Sequence, residues 1–479
     1  MKNGLIEKVV STVKDIPAHW TEPAENKHIP YKEFAAYSFG GIGVNTINSL
    51  FSYVSFSANC LLIGSAYGID PVHLGWMSMV VILFNLLKTP LVSMLIDNTN
   101  TKYGKFRPYL IWTGIPTAIL ITLTAYIPNS MNYTAKCITL CVIYTFAVAF
   151  QSVYTLSFTS LAQVLTPDSE ERTGLLSISQ FIYSLGPSIV NIILPVLAGL
   201  MGGMTSFTVY RVMFPILSVI GLGLSLWTFK GTKEKIVVPK NYVAKVKFSE
   251  GIKSLYSNKY FWLYYAYTIL GGMKYSIGGI LTWYCAYVLQ NDAVLGLMNA
   301  IVGTASVPGM LLSPILAKKI GKKNCLILFN VMRAVFSALM LFTADNPVLF
   351  LGSFYFATLA VGGDAVISAS MTADIFDYQQ WKTGQRLEGF ITQFGGMMVS
   401  GIGLATGLIL PYFYRYYGLH NDYNVLFDEA VRSPIFNVMI ITTIVSCVLA
   451  VVPVLFYDLS EKKLREIAQD LEQRKNEKV

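Results

Sequence analysis

Twelve apolar segments, each long enough to cross a hydrocarbon core of about 30 Å, dominate this chain of 479 residues. Six lie at 34–66, 72–96, 108–127, 135–164, 174–202 and 206–229. Six more lie at 259–290, 293–318, 324–343, 346–376, 388–418 and 433–457. In lipid the backbone must satisfy its own polar groups, so repeated apolar runs of this length specify helices. The expected fold class is an all-α membrane protein with twelve transmembrane helices in two six-helix bundles. The expected division is an N-terminal arm at 1–33, a first bundle at 34–229, a basic linker at 230–258, a second bundle at 259–457 and a tail at 458–479.

Charge supports this reading and removes others. Only 13% of residues are charged, where a soluble chain carries about 25%. The net charge of +9 does not point to nucleic acid, because of where the charge sits. With both termini cytoplasmic, 29 of the 36 basic residues fall in the N-terminal arm, alternate loops and the tail. That bias sets orientation in a membrane. The six cysteines lie in or beside apolar stretches without CxxC or Cys/His pairing, so they read as small buried hydrophobes. The four histidines form no helical pair; no metal and no other cofactor is expected. The glycine runs "FGGIG" (39–43) and "FGGMMVSGIGLATG" (394–407) lie within apolar helices, where glycine permits close packing, not in a nucleotide-binding βαβ unit. No nucleophile–base arrangement stands out, and the chain is not expected to be an enzyme.

Polar residues recur inside the apolar segments at helical spacing. The first carries Asn45, Asn48, Ser49, Ser52 and Asn59; the fourth carries Gln151, Thr155 and Thr159. The fifth carries Ser177, Gln180, Ser184, Ser188 and Asn191. Such stripes face other helices or water, not lipid. Ionisable residues are rarer and more telling: Lys88, Lys274, Arg333 and Asp364 all lie within apolar segments. Snorkelling to the interface is the bland account, and it suits Arg333 best because its segment is short. Asp364 cannot reach far, so it is either paired with Lys88, Lys274 or Arg333, or a candidate proton site. Asn85, Lys88 and Thr89 share one helical face.

Two loops carry a resemblance. "DNTNTKYGKFRPY" (97–109) and "ADIFDYQQWKTGQRLEG" (373–389) are similar to the signature loops of glycoside–pentoside–hexuronide:cation symporters, the melibiose-permease branch of the major facilitator superfamily. The resemblance runs from Tyr31 to the last helix. It implies a central sugar site, alternating access and coupling to Na⁺, Li⁺ or H⁺. It also implies a cytoplasmic gate formed by Asp97, Lys102, Gly104, Lys105 and Arg107 with Asp377, Lys382, Arg386 and Glu388.

The chain departs from that family at the cation site, where the relative has carboxylates. Local matching puts Asn85, Lys88 and Thr89 at the cation positions of the second helix, Asn45 at the acidic position of the first, and Thr155 at that of the fourth. The fifth-helix arginine becomes Gln180, and the eleventh-helix lysine becomes Ser400. The implied substrate contacts are Asn45, Lys88, Thr155, Gln180, Lys274 and Ser400, with Asp364 as the proton-coupling candidate. Two positive charges about 4 Å apart repel by about 4 kcal/mol at an effective dielectric of 20, so Lys88 argues against sodium. The expectation is a multi-pass plasma-membrane carrier of a sugar, glycoside or uronide, partnered by the lipid bilayer, with H⁺ as the candidate coupling ion and no nucleic acid. A carrier of another anionic or amphipathic solute, or a non-transporting membrane sensor, stays open as an alternative.

Overall fold

Asparagine, serine and aspartate side chains open many of the long helices. Asn132 accepts from the Thr134 amide, Ser206 from Thr208, Asn291 from Ala293 and Asp428 from Ala430, at 3.0–3.3 Å. Asn346 accepts from both Val348 and Leu349, with Pro347 filling the first helical position. Each cap satisfies an amide that the helix leaves without a partner. The computed structural model describes residues 17–25, 27–97, 99, 101–166, 169–235, 248–384 and 388–476.

The described residues fall into two units, one of 17–67 and 80–235, the other of 68–79 and 248–476. The helices of the first are α1 (Tyr31–Leu50), most of α2 (Pro71–Asp97), α3 (Arg107–Trp112), α4 (Gly114–Leu123), α5 (Tyr133–Leu165), α6 (Ser169–Tyr183), α7 (Leu185–Leu200) and α8 (Phe207–Gly231). Those of the second are α9 (Phe248–Tyr256), α10 (Lys259–Leu270), α11 (Ile280–Trp283), α12 (Asp292–Ile320), α13 (Lys322–Met340), α14 (Pro347–Thr383), α15 (Glu388–Thr406), α16 (Ile409–Tyr416), α17 (Glu429–Leu455) and α18 (Glu461–Asn476). The first turns of α2 belong to the second unit. There Tyr423 donates to the Ile69 carbonyl at 3.0 Å, and the buried Asp70 lies near Arg415 and His420.

Nine helices among the described residues are long and apolar enough to cross a membrane. Three other apolar segments are carried by shorter helical pieces in series. The first continues past α1 through a 3₁₀ turn at Phe51–Tyr53 and a π turn at Leu61–Ala66. The third breaks at Thr113, three residues before Pro116, whose ring removes a helical amide. The seventh passes from α10 into a 3₁₀ stretch, Gly272–Gly279, bracketed by Gly271, Gly272, Gly278 and Gly279. Glycine weakens a helix by about 1 kcal/mol per residue, so this segment leaves the α-helical form where Lys274 sits.

Packing is arranged for lipid outside and close contact inside. On α5, Ile138, Val142 and Phe146 are exposed at steps of four, while Leu140, Ala147, Tyr154 and Leu161 are buried at steps of seven. A Cβ on Gly43 would stand 2.2 Å from the Gly221 carbonyl oxygen, so α1 and α8 touch backbone to backbone. In the second unit a Cβ on Gly309 would stand 2.0 Å from the Leu359 oxygen, which fixes α12 against α14. Small residues at such seams are what lets membrane helices approach closely.

Candidate functional site

In the first unit, α2 carries Lys88 into a cavity of about 300 Å³ lined by Asn85, Lys88, Val92, Val148, Gln151, Ser152 and Leu156. Lys88 is buried. Its ammonium donates to the Val148 carbonyl at 3.0 Å and to Ser152 Oγ at 2.7 Å. An ammonium has three N–H donors; the two bonds recorded go to neutral groups, and no carboxylate among the described residues pairs with it. Gln151 extends the polar lining, because its Nε2 donates to Asn48 Oδ1 at 3.1 Å. Thr155 Oγ1 donates to the same oxygen at 3.1 Å. The stripes of the first and fourth segments therefore meet at Asn48.

In the second unit, the 3₁₀ stretch after α10 presents Lys274 to Asp364 on α14. The ammonium lies 2.5 Å from Asp364 Oδ2, and both side chains are buried. Tyr267 donates to Asp364 Oδ1, Asn330 Nδ2 donates to that oxygen at 3.3 Å, and Lys274 also donates to the Tyr267 hydroxyl at 2.7 Å. A buried ion pair survives when other hydrogen bonds satisfy its remaining atoms, and this carboxylate has three donors. Of the three cations that the sequence left open as partners, Lys274 holds Asp364. Arg333 does not snorkel, contrary to expectation. It is 5% exposed, and its guanidinium carbon lies 4.6 Å from the Tyr275 ring centroid. The short α13 turns it inward, against the 3₁₀ stretch.

The loop after α2 is organised around an acid that the sequence reading did not single out. Amides of Lys105, Phe106 and Arg107 donate to the Glu234 carboxylate at 2.7, 2.8 and 2.9 Å. Gly104 sits at φ +106°, and a Cβ there would fall 2.4 Å from that carboxylate. The Arg107 guanidinium donates to the Phe229 carbonyl and lies over the Phe229 ring. Lys102 is exposed beside the Tyr103 ring. The next residue, Lys235, bonds Glu33 at 2.9 Å and the His28 carbonyl at 2.5 Å. In the second unit Lys382 donates to the Ser257 carbonyl at 2.5 Å, and Asp377 is half-buried on α14. Asp374 pairs with Lys322 at 2.6 Å, and Trp381 donates to Asp470 of α18 at 2.6 Å. Beyond the last long helix, Lys259 and Tyr260 donate to Asp458 and hold its carboxyl below its ordinary range. Arg386 and the side chains of Thr89, Asp97 and Glu388 lie outside the described residues.

Residues 36–461 match the family model described as MFS/sugar transport protein. The chain belongs to this family. It is 29% identical over 406 residues to the isoprimeverose transporter of Lactiplantibacillus pentosus, a match spanning 81% of this chain and 82% of that one. It is 25% identical over 475 residues to the glucuronide carrier protein homolog of Escherichia coli K12, spanning 94% and 97%. Its fold is similar to that of a bacterial homologue of the human lysosomal transporter Spinster, with a TM-score of 0.63 over 91% of this chain and 98% of that one at 13% identity. The protein is thus a membrane transporter of the glycoside–pentoside–hexuronide-like branch of the major facilitator superfamily, and not an enzyme.

Within this family member the remaining positions fall as follows. Asn45 donates to the Gly41 carbonyl of its own helix at 3.0 Å. Gln180 is exposed and accepts from Tyr183 at 2.7 Å; Ser400 is half-buried on α15. Asn48 and Ser152 in the first unit, and Tyr267 and Asn330 in the second, were missed as site residues. A sequence signal exists for all four. Asn48 was already in the first stripe, Tyr267 lies seven residues before Lys274, and Asn330 lies three before Arg333, which are helical face spacings. Ser152 lies three before Thr155 and seven before Thr159, on the same face of the fourth segment.

Proposed function

We propose that the protein carries a sugar, glycoside or uronide across the plasma membrane by alternating access, with both termini cytoplasmic and without sodium coupling. The observation that carries this reading is Lys88, an ammonium held by a carbonyl and a hydroxyl in the cavity of the first unit that Asn85, Gln151 and Ser152 also line. It stands where the family resemblance implies carboxylates around a cation. Its positive charge takes the place of a bound sodium ion, and Gln151, Asn48 and Thr155 supply the uncharged hydrogen-bonding groups that a sugar needs. The names of the relatives support the substrate class. Purified protein in liposomes should show saturable uptake and counterflow with members of a glycoside and uronide panel. Silence across the panel removes the sugar assignment.

In the same reading Asp364 is the proton-coupling group, and its protonation releases Lys274. Asp364→Asn then abolishes accumulation driven by a pH gradient while equilibrium exchange survives; accumulation that persists in the variant makes the pair structural. A second reading, a carrier of a non-sugar organic anion, draws support from the absence of a carboxylate partner for Lys88 among the described residues. Competition of counterflow by non-sugar carboxylates separates the two.

A further inference from the structure

Arg333 takes no part in the site proposed above, yet it is a charged group buried inside the second unit. It lies on α13 three residues after Asn330 and four before Ser337, so the three share one face of the helix. All are buried, at 2%, 5% and 0% exposure for Asn330, Arg333 and Ser337. Arg333 Nε and Nη1 and Ser337 Oγ have no hydrogen-bond partner among the described residues, and neither does Asn330 Oδ1. Buried polar atoms are ordinarily satisfied, and an unsatisfied charged donor is the costliest exception. The Tyr275 ring covers the guanidinium at 4.6 Å and its side chain also hydrogen-bonds with Arg333, which leaves Nε and Nη1 as the N–H groups without an acceptor among the described residues. Asp364 does not serve them: its oxygens take their recorded bonds from Tyr267, Asn330 and Lys274. Among the described residues two cations, Lys274 and Arg333, thus accompany a single carboxylate, and the cluster carries one excess positive charge.

We propose that Arg333 and Ser337 form a binding site for a small monoanion of halide size, enclosed between α13 and the 3₁₀ stretch that carries Tyr275. The guanidinium and hydroxyl supply N–H and O–H donors, and the ion neutralises the excess charge beside Lys274. Enclosure of the donor atoms favours a compact ion over a bulky solute. A solute's carboxylate offers the same charge, and the two sources are distinguished by experiment.

The test reads binding to purified full-length protein and does not depend on transport, so its failure leaves the carrier reading untouched. Chloride is titrated against isethionate at constant sodium, pH and ionic strength while the apparent unfolding temperature is followed; a ligand that binds the folded state raises it by mass action. Native protein should show a saturating upward shift. Ser337→Ala should move the midpoint to about tenfold higher chloride, the scale of one lost hydrogen bond to an ion. Arg333→Gln should abolish the shift; if that variant does not fold, Ser337→Ala carries the comparison. A parallel titration with a hexuronate in chloride-free buffer assigns the site to a solute carboxylate if only the uronate stabilises and Arg333→Gln removes that effect. The proposal is overturned if neither anion stabilises the native protein, or if the shift has the same midpoint in the variants as in the native protein.

Discussion

Lys88 and Asp364 are both buried charges, but their surroundings give opposite expectations for truncation. Lys88 leans on a helical carbonyl and on Ser152, whose hydroxyl already donates to the Ala149 carbonyl at 2.8 Å. Lys88→Met therefore strands no charged partner, and its cost in stability should stay within about 1 kcal/mol. Its effect should fall on substrate binding, with at least a tenfold loss of affinity for an anionic substrate, the scale of a charged hydrogen bond. Asp364→Leu strands the Lys274 ammonium in the second unit, and breaking a buried pair in this way costs about 3–5 kcal/mol. Adding Lys274→Met to Asp364→Leu should recover most of that loss. Thermal unfolding of the three variants checks both statements; a Lys88→Met variant as unstable as Asp364→Leu would show a partner that Lys88 is not seen to have. Helical spacing told which residues share a face, and so it singled out Lys88, Asn85 and the polar stripes. It could not choose among Lys88, Lys274 and Arg333 as the partner of Asp364. That choice is made by which helices face each other and by the 3₁₀ stretch Gly272–Gly279 that carries Lys274.

Among elements, the loop between α2 and α3 shows how a signature sequence works as a backbone device. Three consecutive amides converge on Glu234, and Gly104 lets the chain turn closely enough for them to do so. The basic residues of this loop drew attention in the sequence, yet its anion is a single acid in a basic linker, well over a hundred residues away. Neither composition nor periodicity could pair them. Gly104→Ala would place a methyl group against the carboxylate and force a positive φ on alanine, while Glu234→Ala removes the acceptor. Each should cost about 1–3 kcal/mol, the range for leaving such groups unsatisfied. Because both act on one interaction, the double variant should cost scarcely more than the worse single variant. Full additivity in thermal unfolding would separate the two residues. The apolar segments themselves were legible because a membrane imposes length and hydrophobicity on every crossing helix. Their interruptions were less so, since 3₁₀ and π turns keep the same apolar composition as the helices that they break.

For the whole molecule, the question with the widest consequence is what drives accumulation. A sodium-coupled carrier needs hard oxygen ligands whose negative charge offsets the ion. In the first unit the positions that the family resemblance implies for the cation hold Asn45, Asn85 and Thr155, and the ammonium of Lys88 would repel a cation placed about 4 Å away by about 4 kcal/mol at an effective dielectric of 20. A penalty of that size corresponds to nearly a thousandfold loss of affinity. Uptake into liposomes by the native protein should therefore be unchanged when external sodium is replaced by choline at fixed pH and ionic strength. A sodium gradient imposed without a pH gradient should produce no accumulation. Restoring carboxylates tests the same logic in reverse: Lys88→Asn combined with Asn85→Asp and Thr89→Asp should introduce a sodium response that the native carrier lacks. Strong stimulation of the native protein by sodium would mean that the cation binds elsewhere in the molecule and that Lys88 has another task.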